Sequence, residues 1–253
     1  MARVLLIGGT DSSGGAGLAR DVATAARMGV EPCVAVTAVT AQTDASVLDV
    51  RRMSSALVSA QVHAAGPVDA AKIGMLGESA IVRAVAEALP DAPLVLDPVL
   101  SASSGRALLD PDGVAALFDT LLPRTTLLTP NLPELGILAA CLGLSSTSDE
   151  ATRVSALMDR GCGAVLVKGG HAEDVESCED RLYLSADKVI RFTGPRFAVA
   201  LRGTGCQLAT GIAVSLAQGR RLPDAIDLAR RGLIARFREA ATANADTAPR
   251  TDG

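Results

Sequence analysis

A buried strand followed by a glycine-rich loop is predicted by the stretch Val4-Leu5-Leu6-Ile7-Gly8-Gly9-Thr10-Asp11-Ser12-Ser13-Gly14-Gly15-Ala16-Gly17. Residues 4–7 are continuously apolar, as strands are when both faces of their sheet are covered. Residues 18–28 then carry apolar side chains at helical spacing. A strand, a tight glycine loop and a helix in this order begin a parallel α/β domain, so the sequence predicts the α/β class.

The same alternation continues over most of the chain. Further apolar runs predict strands at residues 33–40, 70–73, 94–96, 126–128 and 164–167. Amphipathic stretches predict helices at residues 54–65, 79–89, 111–122, 133–142 and 149–160. Because strand–helix–strand crossovers are right-handed and helices cover both faces of such a sheet, we expect a three-layer α/β/α sandwich with a mostly parallel central sheet.

The pattern changes after Gly169. Residues 180–185 and 189–192 predict an antiparallel hairpin that turns at Ala186-Asp187, and two helices are predicted at residues 206–218 and 223–240. The sequence contains no linker that would divide it, so we predict one domain over residues 1–243. Residues 244–253 are small and polar, and we predict a disordered tail there.

Composition and charge argue against several classes of function. The 253 residues carry a formal net charge of −4, which disfavours general affinity for nucleic-acid phosphates. No apolar run approaches the ~20 residues of a membrane span. Five cysteines without a C-x-x-C pair, together with two histidines, do not match the ligand spacing of a zinc site. We therefore expect a cytoplasmic protein without nucleic-acid or membrane partners.

The glycine-rich loop after the first strand is the first candidate for a ligand site. Glycines let a backbone approach a ligand closely, and Asp11 adds a hydrogen-bonding carboxylate. The loop does not match the dinucleotide fingerprint G-x-G-x-x-G, because Arg20 stands at the third glycine position, and the chain has no P-loop motif. A ligand loop and a tight strand-to-helix turn are both consistent with this segment.

A second glycine-rich segment, Arg202-Gly203-Thr204-Gly205-Cys206, precedes a predicted helix. Free amides and the helix dipole at such a position attract an anion, which suits a phosphoryl group during transfer. A cysteine in the first helical turn is expected to have a depressed pKa and could serve as a base. The alternative is that Cys206 is a small packed side chain.

Polar residues also follow three of the later predicted strands. Asp97 and Glu134 could organise Mg²⁺, which binds one or two carboxylates through water, and Lys168 could pair with phosphate. Local explanations exist for the acidic pair: Asp97 could hold a turn, and Glu134 could form a helix cap with Asn131. His171 lies in a glycine-rich loop and is expected to be a surface residue rather than a catalyst.

Together these segments resemble the hydroxymethylpyrimidine/phosphomethylpyrimidine kinase family of thiamine biosynthesis, which belongs to the ribokinase-like superfamily. Each segment alone is common, whereas the ordered set, from residue 4 to about residue 235, is specific for the family. The matching segments are Gly8-Gly9-Thr10-Asp11 with Gly14-Gly15-Ala16-Gly17 and Asp21, Thr37-Ala38-Val39-Thr40-Ala41-Gln42, Lys72-Ile73-Gly74-Met75-Leu76-Gly77, Asp97-Pro98-Val99, Thr129-Pro130-Asn131-Leu132-Pro133-Glu134, Lys168-Gly169-Gly170-His171 and Gly203-Thr204-Gly205-Cys206.

The resemblance implies ATP- and Mg²⁺-dependent phosphorylation of 4-amino-5-hydroxymethyl-2-methylpyrimidine and of its monophosphate. It also implies roles for individual residues. The pyrimidine pocket would be lined by Gly9, Asp21, Gln42 and Met75, to which we add Asp11. The catalytic anion hole would be formed by Gly203, Thr204, Gly205 and Cys206, with Cys206 as the base. Magnesium would be held by Asp97 and Glu134, and Lys168 would lie near the nucleotide phosphate. We add Asn131 and Arg202 as further residues expected to bind the nucleotide.

The chain departs from the family pattern near the phosphate end of this site. Ser101-Ala102-Ser103-Ser104-Gly105 stands where a lysine is usual, and Leu201-Arg202 replaces Thr-His. Gln207 replaces a small hydroxyl residue, and Ala19 replaces a glutamine. These changes are expected to affect phosphorylation of the monophosphate more than phosphorylation of the hydroxymethylpyrimidine. We hypothesise that Arg202 compensates for the lost positive charge.

Three other functions stay open from the sequence. A pyridoxal or pyridoxine kinase would act on a similar hydroxymethylated heterocycle. A binding or regulatory protein with a decayed kinase site would explain the departures. A dinucleotide-dependent oxidoreductase is disfavoured by the failed glycine fingerprint. Members of the superfamily are often dimers, so a homodimer is also expected.

Overall fold

The strands form a single sheet whose order follows the predicted crossovers. The structure, a computed structural model, describes residues 1–43, 46–101, 105, 107–170 and 177–247. The strands in these residues are β1 (Arg3–Asp11), β2 (Glu31–Gln42), β3 (Val47–Arg52), β4 (Ala70–Ile73), β5 (Leu94–Leu96), β6 (Leu127–Leu128), β7 (Val165–Val167), β8 (Ser177–Ser185) and β9 (Lys188–Pro195). Their order is β3-β2-β1-β4-β5-β6-β7-β8-β9. The six central strands are parallel, whereas β3 at one edge and the hairpin β8–β9 at the other are paired antiparallel, so the mostly parallel sheet is confirmed.

Helices cover both faces of this sheet. They are α1 (Gly17–Arg27), α2 (Ser55–Ala64), α3 (Ser79–Ala88), α4 (Pro111–Ala116), α5 (Leu132–Cys141), α6 (Glu150–Met158), α7 (Thr204–Ala217) and α8 (Leu222–Thr247). Successive side chains of β1 point to opposite faces, so Leu5 joins the core beneath α2–α6 while Leu6 joins the core beneath α1, α7 and α8. This division of one strand between two cores confirms the three-layer sandwich.

Three elements differ from the sequence prediction. Strand β3 was not predicted, because its side chains are exposed or half-buried and it presents no continuous apolar run. Helix α4 begins at Pro111 behind the Asp110 cap as expected, but the chain widens into a π-helical turn from Leu117 to Leu121. Helix α8 continues to Thr247, through the start of the predicted tail. Residues 248–253 lie outside the described residues, and the division into one domain and a tail stays a prediction.

The hairpin is confirmed with its turn at residues 186 and 187, since Ser185 pairs with Lys188. Of the residues considered above, Ser103 and His171 lie outside the described part of the chain. Among the helices that the structure describes, none combines the length and the hydropathy that crossing a bilayer requires.

Candidate active site

The carboxyl ends of the parallel strands open into one cleft of about 940 Å³. Parallel strands all end at the same edge of a sheet, so residues distant in sequence meet there. Every residue predicted to bind substrate, nucleotide or metal lines this cleft: Gly9, Asp11, Asp21, Gln42, Met75, Asp97, Asn131, Glu134, Lys168, Arg202, Gly203, Thr204, Gly205 and Cys206. The structure therefore brings the predicted site together, whereas the role of each residue stays a prediction.

The glycine-rich loop after β1 is shaped by Asp11. One oxygen of this carboxylate accepts hydrogen bonds from the amide and hydroxyl of Ser13, at 2.9 and 2.8 Å. The other accepts from the Ala16 amide and from Arg202 Nη2, both at 2.9 Å. Arg202 Nη1 also donates to the Ser13 hydroxyl. Asp11 and Arg202 thus join the two glycine-rich segments. If Asp11 contacts the substrate or Arg202 contacts the nucleotide, as predicted, each would do so with atoms that already take part in these hydrogen bonds.

Helix α7 begins at the second glycine-rich segment with free amides. Its N-cap, Gly203, has a φ of 69°, a left-handed conformation that side chains disfavour. A Cβ on Gly203 would also collide with the carbonyl oxygen of Gly15. Among the described residues no side chain caps this helix, so its first amides point towards the cleft without a side-chain acceptor. This is the arrangement that binds an anion at a helix N-terminus.

The predicted ionisation of Cys206 is wrong. The pKa of its thiol is raised to about 11, mainly because the sulfur is removed from water and in part because the carboxylates Asp21 and Asp97 lie nearby. Lys72 and the Gly17 amide act in the opposite direction but do not outweigh burial. A position in the first turn of a helix therefore does not make Cys206 a thiolate, because the cost of burying the charge is larger. In the free protein at neutral pH it is a thiol.

Asp97, Lys168 and Glu134 form a charged cluster opposite the start of α7. Lys168 Nζ donates to Asp97 Oδ1 at 2.8 Å and lies 3.8 Å from Glu134 Oε2. Burial opposes the ionisation of Asp97, but Lys168 and then Lys72 hold its pKa below the usual range. A Cβ on Gly205 would lie 3.4 Å from Lys168 Nζ and 3.6 Å from Asp97 Oδ2. A phosphoryl group at the helix start would therefore contact this lysine as well.

Glu134 also forms the helix cap that the sequence offered as an alternative. Its Oε2 accepts from the Asn131 amide, and Asn131 Oδ1 accepts from the Glu134 amide, both at 2.8 Å. This is a complete capping box at the start of α5. The pKa of Glu134 is raised to about 7, because burial and, to a smaller extent, Asp97 outweigh the opposing effects of Lys168 and the Asn131 amide.

Asp21 and Lys72 form a buried ion pair beneath the anion hole, and the sequence analysis did not predict their pairing. Lys72 Nζ donates to Asp21 Oδ2 at 2.8 Å, and Thr210 donates to Asp21 Oδ1 at 2.7 Å. Both oxygens of Asp21 are thus bound within the protein. The signal was present in the run Ala70-Ala71-Lys72-Ile73, since a lysine in a buried strand requires a partner.

The end of the cleft beside β1 and β2 holds the residues predicted for the pyrimidine. Gly9 lies against Met75, because a Cβ on Gly9 would be 3.0 Å from the methionine sulfur. Gln42 is half-buried, and its Oε1 accepts from the Thr40 hydroxyl at 3.3 Å. A flat pocket with a methionine wall and one oriented amide suits a small heterocycle.

The opposite end of the cleft, beside β9 and α8, was also missed. Phe197 and Phe237 stack with centroids 5.2 Å apart, and Leu201 and Leu233 line the same region. Phe197 and Leu201 lie in the loop after β9, whereas Leu233 and Phe237 lie on α8. The only signal for these residues in the sequence is the spacing of apolar positions. An apolar end of this kind can receive a nucleobase.

The cleft can thus hold a heterocycle at one end and a base at the other, with an anion site between them. No group of three or more His, Cys, Asp or Glu side chains that could hold a metal occurs in the described residues. Two carboxylates near a phosphate site fit Mg²⁺ nonetheless, because this ion keeps several waters and is completed by substrate phosphates. Asp97 and Glu134 are the residues that would hold it.

Comparisons with known proteins agree with this geometry. The profile of the phosphomethylpyrimidine kinase family matches residues 11–250. The hydroxymethylpyrimidine/phosphomethylpyrimidine kinase of Rhizobium meliloti is 38% identical over 90% of this chain and 88% of its own length. A solved phosphomethylpyrimidine kinase from Clostridium difficile superposes with a TM-score of 0.79 at 28% identity, covering 94% of this chain and all of that one.

A second solved structure, the pyridoxal kinase of Staphylococcus aureus in complex with AMP-PCP and pyridoxal, superposes with a TM-score of 0.80 at 30% identity and covers 92% of this chain and 87% of that one. The ribokinase-like fold predicted from the motifs is confirmed by these kinase neighbours. The family match extends over far more than half of the sequence. The chain belongs to the phosphomethylpyrimidine kinase family.

Proposed function

We propose that this protein transfers the γ-phosphoryl group of ATP to the hydroxymethyl group of 4-amino-5-hydroxymethyl-2-methylpyrimidine, and then phosphorylates the monophosphate, in thiamine diphosphate biosynthesis. The observation that carries the proposal is the convergence of the uncapped α7 N-terminus with Lys168 and Asp97 between two ligand-sized ends of one cleft. The family match and the names of the relatives support the same substrate class. We also propose the cytoplasm as its location.

The residues of the cleft supply the parts that phosphoryl transfer needs. Little covalent chemistry falls to the protein in this reaction, so positioning and charge stabilisation account for most of the rate. The amides of residues 204–206 would bind the transferring group, and Lys168 would neutralise part of its charge. The Cys206 thiol would first release its proton to solvent, and the thiolate would then accept the proton of the attacking hydroxyl. Mg²⁺, held by Asp97 and Glu134, would supply charge neutralisation at the nucleotide phosphates.

The second phosphorylation is part of the proposal, although the usual lysine of the family is replaced. Arg202 lies between the two glycine-rich segments and contacts Asp11 and Ser13. It therefore brings a positive charge to the rim where a substrate phosphate would enter. Homodimerisation also stays a proposal. It is supported by the exposed apolar side chains of Val39 on β2 and Leu48 on β3, which are 46% and 67% exposed.

Substrate choice tests the proposed function against a pyridoxal kinase. The wild-type protein should phosphorylate the hydroxymethylpyrimidine with a kcat/KM about tenfold to a hundredfold above that for pyridoxal. The reason is that the Gln42 amide can pair with a ring nitrogen and its neighbouring amine, a pair that pyridoxal lacks. An unsatisfied buried amide costs ~1–3 kcal/mol, and ~1.4 kcal/mol corresponds to a factor of ten.

The measurement is product formation by mass spectrometry with Mg-ATP and the hydroxymethylpyrimidine, its monophosphate or pyridoxal. Gln42→Ala should lose the discrimination, whereas Gln218→Ala, far from the cleft, should keep it. Equal use of both substrates by the wild type would make pyridoxal kinase the better assignment. Absence of product from every substrate would favour a binding or regulatory protein.

Magnesium dependence is expected to change with pH because of Glu134. Its pKa of about 7 means that the carboxylate is ionised above neutrality and protonated below it. A protonated carboxyl cannot help to hold a cation, so the Mg²⁺ concentration for half-maximal rate should rise about tenfold from pH 8 to pH 6. Glu134→Gln should show a high and pH-independent requirement.

The matched control for this experiment is Glu87→Gln, which removes an exposed carboxylate on α3. It should behave like the wild type. If the wild-type magnesium requirement does not depend on pH and Glu134→Gln only lowers the unfolding temperature, then Glu134 serves the capping box alone.

A further inference from the structure

A second cavity, of about 500 Å³, lies between α1, α7 and α8 and shares no lining residue with the cleft. Five arginines line it, and we call it the arginine groove: Arg20, Arg27, Arg220, Arg231 and Arg236. Glu239 is the one carboxylate of its lining among the described residues. The groove is therefore strongly positive, although the chain as a whole carries a net charge of −4.

The space exists because small residues face each other along these helices. Helices α7 and α8 come close at Gly211, where a Cβ would lie 3.0 Å from the Cβ of Ala229. Beside this contact the lining also includes three residues without bulk, Ala23, Gly232 and Ala235. Large side chains would fill such a gap in a well-packed helix layer, so an open groove lined by arginine is a feature that packing alone does not explain.

Most of the arginine charge in this groove has no counter-charge. Arg231 pairs with Asp227 at 2.5 Å, one turn away on α8. Within the described part of the chain, Arg20, Arg27 and Arg220 form no ion pair. The Nε of Arg20 is moreover buried and has no hydrogen-bond partner. A buried donor without an acceptor costs free energy, and a bound anion would remove that cost.

Arg236 joins the groove to the rim of the cleft through neutral acceptors. Its Nη1 donates to Gln207 Oε1 and its Nη2 donates to the Arg202 carbonyl, both at 2.9 Å. Gln207 is one of the positions at which the chain departs from its family, and it also donates to the Gly232 carbonyl. Burial and the repulsion of Arg20 and Arg27 lower the pKa of Arg236, as expected for a cation that lacks a negative neighbour.

We propose that the arginine groove binds a small anion that carries two or more phosphate groups. Guanidinium groups bind phosphate oxygens with paired hydrogen bonds, which suits arginine for this task. Arg20 and Arg27 lie seven residues apart on the same face of α1, about 10 Å along the helix axis, so the two side chains can bind neighbouring phosphates of one ligand. A volume of about 500 Å³ is that of a small-molecule site rather than of a water pocket.

The test is titration calorimetry of the full chain with inorganic pyrophosphate in the absence of nucleotide, because a nucleotide with several phosphates could itself enter the groove. The wild type should bind two pyrophosphates, one in the cleft and one in the groove. The double variant Arg20→Gln/Arg27→Gln should weaken one of these two sites at least about tenfold, since charge-assisted bonds are lost. The control Arg51→Gln/Arg83→Gln removes the same charge from an edge strand and from the opposite helix layer, and it should change the Kd by less than about twofold.

Two outcomes would overturn the proposal. One is that the wild type binds no more than one pyrophosphate, and the other is that the groove variant binds both pyrophosphates as tightly as the control. If the double variant does not fold, Arg27→Gln replaces it, because Arg27 is exposed and its loss cannot disturb the core. Kinase activity is measured separately on the same samples, so a failure of the proposed function would not be mistaken for a failure of this site.

Discussion

Replacing Cys206 with alanine is expected to lower kcat by about 10²–10⁴, the usual contribution of a positioned acid or base, with a much smaller change in KM. The sulfur lies in the first turn of α7, at the anion site and near Lys72 and Asp97. The measurement is steady-state kinetics with the hydroxymethylpyrimidine. Cys141→Ala, which changes an exposed cysteine on α5, is the matched control and should keep the wild-type kcat.

The pH dependence of the reaction rate is a second test of whether Cys206 is the base. Because the pKa of Cys206 is about 11 in the free protein, the thiolate fraction rises about tenfold per pH unit below that value. If the thiolate is the base, kcat/KM, which reports the ionisation of the free enzyme, should rise with pH between 7 and 9. Cys206→Asp should keep measurable turnover with a flatter profile, since a carboxylate ionises at lower pH. A Cys206→Ala variant with wild-type kcat would show that the cysteine only packs.

The location of the site could be predicted from sequence because it depends on backbone topology. Short apolar strands that alternate with helices must be parallel, and parallel strands bring their carboxyl ends to one edge. Asp97, Asn131 and Lys168 each follow such a strand, so their convergence required no knowledge of side-chain packing. The glycines before α7 likewise indicate, from the sequence alone, a helix that begins with free amides.

The energetics of the site could not be predicted in the same way. Cys206 has the sequence context of a reactive thiol, yet its pKa depends on how much water the folded cleft removes. Similarly, Lys72 and Asp21 are 51 residues apart, and their pairing depends on the contact between β4 and α1 across the sheet. The exposed strand β3 was missed because a strand with little buried surface leaves little hydrophobic pattern.

Neutralising Asp21 is expected to cost more stability than any other single change of a carboxylate in the described residues. Asp21 and Lys72 are buried, with side chains that are 0% and 1% exposed. Burial opposes the charge on Lys72, but its negative neighbours, Asp21 first, raise its pKa, so the ammonium form is the native one. Asp21→Asn leaves that ammonium without its counter-charge, which costs about 3–5 kcal/mol in comparable buried pairs.

Urea unfolding at neutral pH measures this cost, and three further variants identify its cause. Thr210→Val removes only a neutral donor to Asp21 and should cost about 1–3 kcal/mol. Asp227→Asn breaks a surface pair with Arg231 and should cost less than about 1 kcal/mol. Asp21→Leu combined with Lys72→Met removes both charges and should recover most of the loss, since apolar replacements of a buried pair are often neutral.

The deficit of Asp21→Asn should also shrink as the pH rises towards about 10. Without Asp21, burial is the largest influence on Lys72 and Asp97 is the carboxylate that still opposes it, so we expect the folded pKa to fall below the unfolded value of about 10.4. A lysine with a lowered folded pKa destabilises the protein at low pH, where folding must bury its charge or release a proton. That penalty disappears as the unfolded chain also loses the proton. An Asp21→Asn variant as stable as Asp227→Asn, or one whose deficit does not change with pH, would mean that water or another acidic group compensates Lys72.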